Sequence, residues 1–397
     1  MRVFVPFACG YYLSYLYRTV NAVISPDLVR DLGIDANELG LLTSAYFLAF
    51  ALFQLPLGML LDRIGPRRVN GALLAIAGTG ALVFAHSEAF AGLVLGRALI
   101  GLGVSAALMA SMKAFSVWFP LSRLATVNGL LMAIGGLGAL SASVPVEAAL
   151  HVTDWRGVFE VLAGCTFLAA GGIMLIVPER TSAAGVTGAA ELLRGVARVY
   201  RDGGFWRVAF LSMAVMASFL ALQGLWVGPW LRDVAGLPRD QVANALLLMA
   251  VAMTAGFVFF GAAADRFESA GWGAVTALCR RIARRRRGTR AHRRRGHHRR
   301  ARNLAGDQLC ARVRFVRDAD AALSGRARGR VTTAINFLIF VGAFALQWGL
   351  GAIINLWPAE AGQYPVVAYR AALGACVVFQ VAALAWYGSG LRRSVGN

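Results

Sequence analysis

Apolar residues run along this chain in long blocks rather than in alternation, and each block approaches the roughly 20 residues a helix needs to cross a bilayer. Blocks cover 3–24, 40–61, 69–86, 90–113, 127–149 and 157–177, and they resume at 206–230, 241–264, 331–356 and 367–388. Ten spanning helices are predicted, six before the interruption and four after it. The interruption carries Pro178, Glu179, Arg180, Arg194, Arg198 and Arg201, which suits a linker on the cytoplasmic membrane surface. The expected division is an N-terminal half at 1–177, a linker at 178–205 and a C-terminal half at 206–397. The first block is too long and too aromatic for a signal-peptide core, and no small-residue cleavage site follows it, so it reads as a retained helix.

Composition sharpens this picture: 58% of the 397 residues are apolar and only 15% charged, more apolar surface than a soluble core can hide. A soluble enzyme, a disordered regulator and a disulfide scaffold are excluded. Charge fixes the expected orientation, because short loops rich in arginine and lysine stay in the cytoplasm. Arg2, the group Arg63, Arg67 and Arg68, the pair Lys113 and Arg123, the linker, and Arg392 with Arg393 fall on one side. Asp27, Asp31, Asp35, Glu38, Glu88, Glu147, Asp154 and Glu360 fall on the other. Both termini are expected in the cytoplasm. The five cysteines are odd in number, and His86 and His151 read as loop residues, so neither a disulfide framework, a metal site nor any cofactor is expected.

Laid upon itself, the chain shows an internal repeat of the kind from which secondary transporters are built. Pro26, Gly33, Gly58, Asp62 and Arg63 recur 203 residues later, without a gap, as Pro229, Gly236, Gly261, Asp265 and Arg266. Arg123 and Thr126 are echoed 207 residues on by Arg330 and Thr333. The stretch from Gly58 through Asp62, Arg63 and Gly65 to Arg67 and Arg68 resembles the loop signature between helices two and three of the major facilitator superfamily. Its degenerate copy from Gly261 to Arg266, where Glu268 replaces an expected glycine, lies where that family has one between helices eight and nine. Arg97 with Gly101 and Gly103 is similar to the family's fourth-helix motif, and Asp154-Trp155-Arg156 to its entry into helix six. The resemblance implies an all-α membrane fold of two parallel six-helix halves, in a bacterial inner membrane.

Polar residues inside apolar blocks are costly and mark candidate functional positions. In the first helix Tyr11, Tyr15, Arg18 and Asn21 recur at spacings of three and four, which makes one stripe on one face. Helix seven carries Gln223, Trp226 and Trp230, and helix eleven carries Asn336 and Gln347. The resemblance implies that helices one, four, seven and ten line a central path. Tyr15, Arg18, Asn21, Arg97, Gln223, Trp226, Asn336 and Gln347 are therefore the expected substrate-path residues, with Arg97 where the family places an arginine linked to proton coupling. The resemblance also implies a cytoplasmic gate of Gly58, Asp62, Arg63, Gly65 and Arg67, with Asp62 reaching toward helix eleven near Thr332, and a weaker copy at Asp265 and Arg266. Lys113, at the far end of helix four, reads as a headgroup-seeking side chain.

One segment breaks the pattern. From Cys279 to Arg330 there are 19 arginines and three acids, a local charge of +16 out of a total of +20. Such a segment cannot span a bilayer, although helices nine and ten are due there. The spacing from Asp265 to Arg330 nevertheless stays within four residues of that from Asp62 to Arg123. Preserved length with lost composition fits an out-of-frame translation of about 280–328, and a native basic loop that binds lipid or RNA is the rival reading. The function these observations favour is a secondary transporter, a monomer that moves a small solute by alternating access. A proton is the simplest coupling ion, the two arginines favour an organic anion, and no nucleic acid is expected as a partner. The competing class is a non-transporting membrane protein, either a disabled relative or a basic membrane-anchored binder.

Overall fold

The structure is a computed structural model that describes residues 1–178, 197–267, 325–359 and 363–396. Its first half comprises α1 (Phe4–Thr19), α2 (Asn21–Leu32), α3 (Ala36–Arg63), α4 (Pro66–His86), α5 (Phe90–Val104), α6 (Ala107–Trp118), α7 (Leu121–Ser141), α8 (Val144–Ala149) and α9 (Trp155–Ile176). After the linker come α10 (Gly203–Ala221), a π-helical turn at Leu222–Trp226, α11 (Val227–Asp233), α12 (Arg239–Phe267), α13 (Gly325–Ile354) and α14 (Val366–Gly396). The arginine segment and most of the linker lie outside the described residues.

Among the described residues, eight helical runs are long and apolar enough to cross a bilayer. Ten are predicted from the sequence, and the difference lies in two places. The first block is not one helix: it breaks at Val20 and continues to Leu32. Thr19 Oγ1 donates back to the Tyr15 carbonyl at 3.0 Å, a bond that loosens a helical turn, and Pro26 leaves the Ala22 carbonyl without its usual donor. The second place is α12, whose side chains are described only as far as Gly256. The fourth-helix block is also longer than predicted and broken, running as α5 and α6 on either side of Ser105. Gln54 Nε2 donates to the Ser105 carbonyl at 3.2 Å, which supplies the bond the break releases.

The repeat read from the sequence has a geometric counterpart. Gly33 and Gly236 both take the left-handed conformation, at φ of 64° and 65°, where a side chain is strained. Helix α3 then begins at Ala36 and α12 at Arg239, the same 203 residues apart. Asp35 caps α3: the Glu38 N–H donates to Asp35 Oδ1 at 2.8 Å, and the Asp35 N–H donates to Glu38 Oε2 at 3.1 Å. The break at Val20 and the π-helical turn fall in one register of the two copies, so each half distorts its first spanning helix at the same depth.

Within the first half, α4 packs on α5 and α9 and α1 packs on α7, around a core that includes Trp155, Tyr17, Phe84 and Phe159. Within the second, α10 packs on α13 and α14. The halves meet along α3 with α13, α7 with α12, and α2 with α11. The seam is closest at the end that bears Asp27, Asp35 and Glu147. There a methyl group added to Gly228 would lie 2.1 Å from the Ala22 carbonyl oxygen, one on Gly351 2.3 Å from that of Ala36, and one on Gly40 2.9 Å from that of Gln347. Only glycine permits these approaches.

Candidate substrate site between the halves

The polar stripe on α1 faces the second half. The Arg18 guanidinium lies 4.7 Å from the Tyr15 ring centroid and 5.6 Å from each of Phe50 and Phe340, so aromatic faces from both halves surround it. These contacts are attractive for a cation but supply no counter-charge. Arg18 forms no ion pair among the described residues, and its Nε is buried without a hydrogen-bond partner. Tyr11 stacks edge-on against Tyr15 at 5.3 Å, and its hydroxyl points to Met132 Sδ at 3.5 Å. Gly135 of α7 makes room for both rings, since a methyl there would lie 2.5 Å from Tyr11.

From the second half, the π-helical turn brings Gln223, Gly224 and Trp226 to the same interface. A π-helical turn widens the helix and redirects its side chains, and such turns recur at functional sites. Trp226 Nε1 donates to the Gln347 carbonyl at 2.9 Å, and Gln347 Nε2 donates to Thr43 Oγ1 at 2.7 Å, which ties α13 to α3. Gln347 Oε1 has no partner among the described residues and faces Gly224, whose nearest neighbours also include the Arg18 carbonyl. Gln223 is buried, with Nε2 3.0 Å from Met253 Sδ. Asn336 is half-buried, eleven residues before Gln347 and four before Phe340, hence on their face of α13. Asn21 is buried next to the break, with Oδ1 unpartnered.

Arg97 is placed differently from the sequence expectation. It is enclosed in the first half, with its guanidinium 5.7 Å from the Tyr46 ring, 5.6 Å from Phe84 and 5.9 Å from Phe159. Its Nη2 donates to the Tyr17 carbonyl at 3.4 Å, while Nε and Nη1 have no partner. At 1% exposure it lines no path between the halves.

The gate motif also differs. Asp62 pairs with Lys113 of its own half, so Lys113 is not a free headgroup anchor, and the Thr332 side chain toward which Asp62 is expected to reach lies outside the described residues. The ends of α3 and α6 are neighbours, and a carboxylate and an ammonium at one membrane edge find each other first. Arg67 Nε donates to the Met174 carbonyl at 3.0 Å and closes the last turn of α9. Gly65 takes φ of 93° before Pro66 starts α4, Gly58 faces open space, and Arg63 is exposed. Asp265 and Arg266 sit in the last turn of α12, beyond its described side chains.

At the opposite end the halves are joined by polar contacts that the sequence did not reveal. Trp348 Nε1 donates to Asn37 Oδ1 at 2.8 Å, and Asn355 Nδ2 donates to Asp35 Oδ2 at 2.9 Å. The Ala36 N–H donates to the Tyr364 hydroxyl at 3.0 Å, and that hydroxyl donates to Asn355 Oδ1 at 3.0 Å. Burial pushes the Tyr364 phenol up, so it stays a protonated donor. The structure is therefore closed at the Asp35 end, while at the other the ion pair that Asp62 makes among the described residues is within its own half. Tyr46, Phe50, Phe340 and Thr43 also escaped sequence reasoning, being ordinary members of apolar blocks with no polar spacing to mark them.

A multi-pass membrane protein of two repeats, with a cation held at their interface without an ion-pair partner among the described residues, is what these features define. The chain belongs to the Major Facilitator Superfamily, whose family model matches residues 7–291. It is 30% identical over 258 residues to a probable L-galactonate transporter of Escherichia coli K12, covering 63% of this chain and 56% of that one. It is 28% identical over 162 residues to a hexuronate transporter of the same strain, covering 40% and 37%. The chain thus spans about half the length, or less, of these curated relatives. Among solved structures, the nucleoside transporter NupG aligns over 98% of this chain and 99% of its own, at TM-score 0.69 and 12% identity. A bacterial homologue of the human lysosomal transporter Spinster, in an inward-facing and unoccupied conformation, aligns over 97% and 95% at TM-score 0.62 and 16% identity. These likenesses show the fold.

Proposed function

We propose that this protein is a secondary active transporter that carries a small organic anion across a bacterial inner membrane by alternating access, with Arg18 as the group that binds the anion. The observation that carries the reading is Arg18, half-buried at the interface of the halves with its Nε fully enclosed, its guanidinium boxed by Tyr15, Phe50 and Phe340 and without a carboxylate partner among the described residues. A largely enclosed cation of this kind invites an anionic ligand, since the ligand supplies the missing charge and receives charge-assisted hydrogen bonds in return. Gln223, Gln347, Asn21 and Asn336 are the neutral groups that would hold hydroxyls of the same ligand. The names of the relatives, a galactonate and a hexuronate transporter, agree with a hydroxylated carboxylate. No step in this scheme makes or breaks a covalent bond in the solute.

In this reading the halves 1–177 and 206–397 rock about the central site, both termini lie in the cytoplasm, and the Asp35 end faces outward. The structure then corresponds to the inward-facing state, with the Asp62 gate released. The protein acts as a monomer, and a proton is the simplest coupling ion. The arginine segment favours a second reading, a relative that binds but no longer transports. Binding and uptake measured together separate the two.

The test is calorimetric titration of the purified protein with galactonate and with galactose as the neutral control. Galactonate should bind and galactose should not, and Arg18→Gln should weaken galactonate binding by roughly 10- to 100-fold, the worth of hydrogen bonds to a charged group. Equal affinity in wild type and Arg18→Gln would end the anion-site reading. Binding without uptake into proteoliposomes would select the non-transporting relative.

A further inference from the structure

The lipid-facing side of the first half carries a groove that the central site does not use. It runs between α1 and α9 and encloses about 490 Å³. Leu13, Leu16 and Ala169 are buried and form its floor, while the exposed Val5, Leu168 and Ile176 stand at its sides. Small residues make the hollow. Cys9 faces it from α1, and Cys165, Ala169 and Gly172 follow one another on one face of α9 at spacings of four and three. A methyl group added to Gly172 would meet nothing nearer than Ile176 Cδ1 at 4.0 Å, so the space in front of this residue is open.

Length and charge narrow what can lie there. Val5 and Leu16 are eleven residues apart on α1, about 16 Å along the helix, which is half of a hydrocarbon core of about 30 Å. The groove therefore spans one leaflet, from the membrane edge where α1 starts and α9 ends. Two guanidinium groups flank that edge. Arg2 is exposed, in a turn closed by the Val5 N–H donating to the Met1 carbonyl at 3.1 Å, and it falls on the groove face, three residues before Val5 and seven before Cys9. Arg67 comes from α4 and donates to the carbonyl of Met174, in the last turn of α9. Among the described residues of the first half, the acid at this end is Asp62, which Lys113 pairs. The mouth of the groove is cationic.

We propose that the groove between α1 and α9 binds one anionic phospholipid, with an acyl chain laid along the groove and the phosphate between Arg2 and Arg67. Lipid tails are as apolar as the groove, so leaving the bilayer for it brings no hydrophobic gain. Retention rests on two other terms. A chain in the groove touches a floor and two sides, where a lipid on a convex helix surface touches one, and its dispersion contacts rise accordingly. The headgroup adds charge-assisted hydrogen bonds from guanidinium to phosphate. A zwitterionic lipid with the same tails keeps the first gain but brings its own ammonium to a cationic mouth. In the proposed orientation the site draws on the inner leaflet. It uses no feature of the central site and holds whatever solute is carried.

The experiment is native mass spectrometry of the delipidated full chain in detergent, titrated with dioleoyl phosphatidylglycerol and, separately, with dioleoyl phosphatidylethanolamine. The wild type should take up phosphatidylglycerol in preference to phosphatidylethanolamine. Arg2→Gln should cut that preference roughly fivefold, the worth of one arginine near an anionic headgroup, and leave phosphatidylethanolamine uptake unchanged. Gly172→Leu extends into open space and should remove one tight adduct of either lipid, while Val378→Leu, on the exposed face of α14, should change neither. Equal uptake of the two lipids by the wild type would overturn the proposal. So would an adduct series identical in wild type and Gly172→Leu, because phosphatidylglycerol held by the arginine segment does not sense the groove. A dimer mass that disappears in Gly172→Leu would assign the groove to a second copy of the chain instead. No solute is present, so the lipid site and the galactonate site fail separately.

Discussion

Arg18 and Arg97 lie inside apolar helices of one half, yet only Arg18 has the second half against it. Arg97 has two donors with nothing to bond and three aromatic rings around it, all from its own half. Replacing it with an apolar side chain of similar length removes that unmet demand. Arg97→Met is expected to leave galactonate affinity within about twofold and to raise the thermal unfolding midpoint, as replacement of buried charged groups by apolar ones can stabilise by about 1–4 kcal/mol. A thermal scan beside the titration checks both, and a loss of binding on the scale of Arg18→Gln would return Arg97 to the site. Arg18 could be assigned to a face from the sequence because its helix carries a polar stripe. It could not place Arg97, because α5 is apolar all round and nothing in its pattern distinguishes the side toward the path from the side toward Phe84 and Phe159.

Among elements, the two copies of the repeat agree in backbone as well as in residue type. Gly33 and Gly236 end equivalent segments in the left-handed conformation, and neither has an atom within 4 Å of the place a methyl would occupy. Their replacement therefore tests backbone strain without packing. Gly33→Ala and Gly236→Ala should each cost about 1–2 kcal/mol and by nearly equal amounts, read as matched falls in unfolding midpoint. An unequal pair would mean that the copies have diverged at this turn. The offset of 203 residues was legible because proline, glycine and charged residues punctuate apolar sequence. The break at Val20 and the π-helical turn at Leu222–Trp226 were not, because the apolar blocks run straight through both. Those irregularities come from Thr19, Pro26 and Pro229 acting on backbone hydrogen bonds, and hydropathy does not register them.

For the whole molecule, the order of the helices and the partition of charge to two ends could be read directly, whereas the cross-half partners could not. Asp27, Asp35 and Glu147 were visible as acids of one end, but nothing along the chain pairs Asp27 and Glu147 with Arg239, 212 and 92 residues away, or Asp35 with Asn355, 320 residues away. The same partition predicts an orientation. Reporter fusions after Arg68 and after Arg201 should read as cytoplasmic, and one at His151 should read as external. A cytoplasmic signal at His151 would reverse the assignment of inner and outer ends.

The glycine seam bears on how fast such a molecule can work. Where Gly228, Gly351 and Gly40 rest on carbonyl oxygens, backbone meets backbone, and the one side chain among the nearest atoms is the Trp226 indole beside Gly40 and Gly351. Interlocked side chains would have to climb out of their holes together, which adds to the activation barrier whether or not it adds to the equilibrium. A glycine-on-carbonyl contact is shallow and is lost gradually as the helices slide or tilt. In the proposed rocking of the halves, a seam built this way combines close approach with few interlocked side chains and adds little to the barrier to parting.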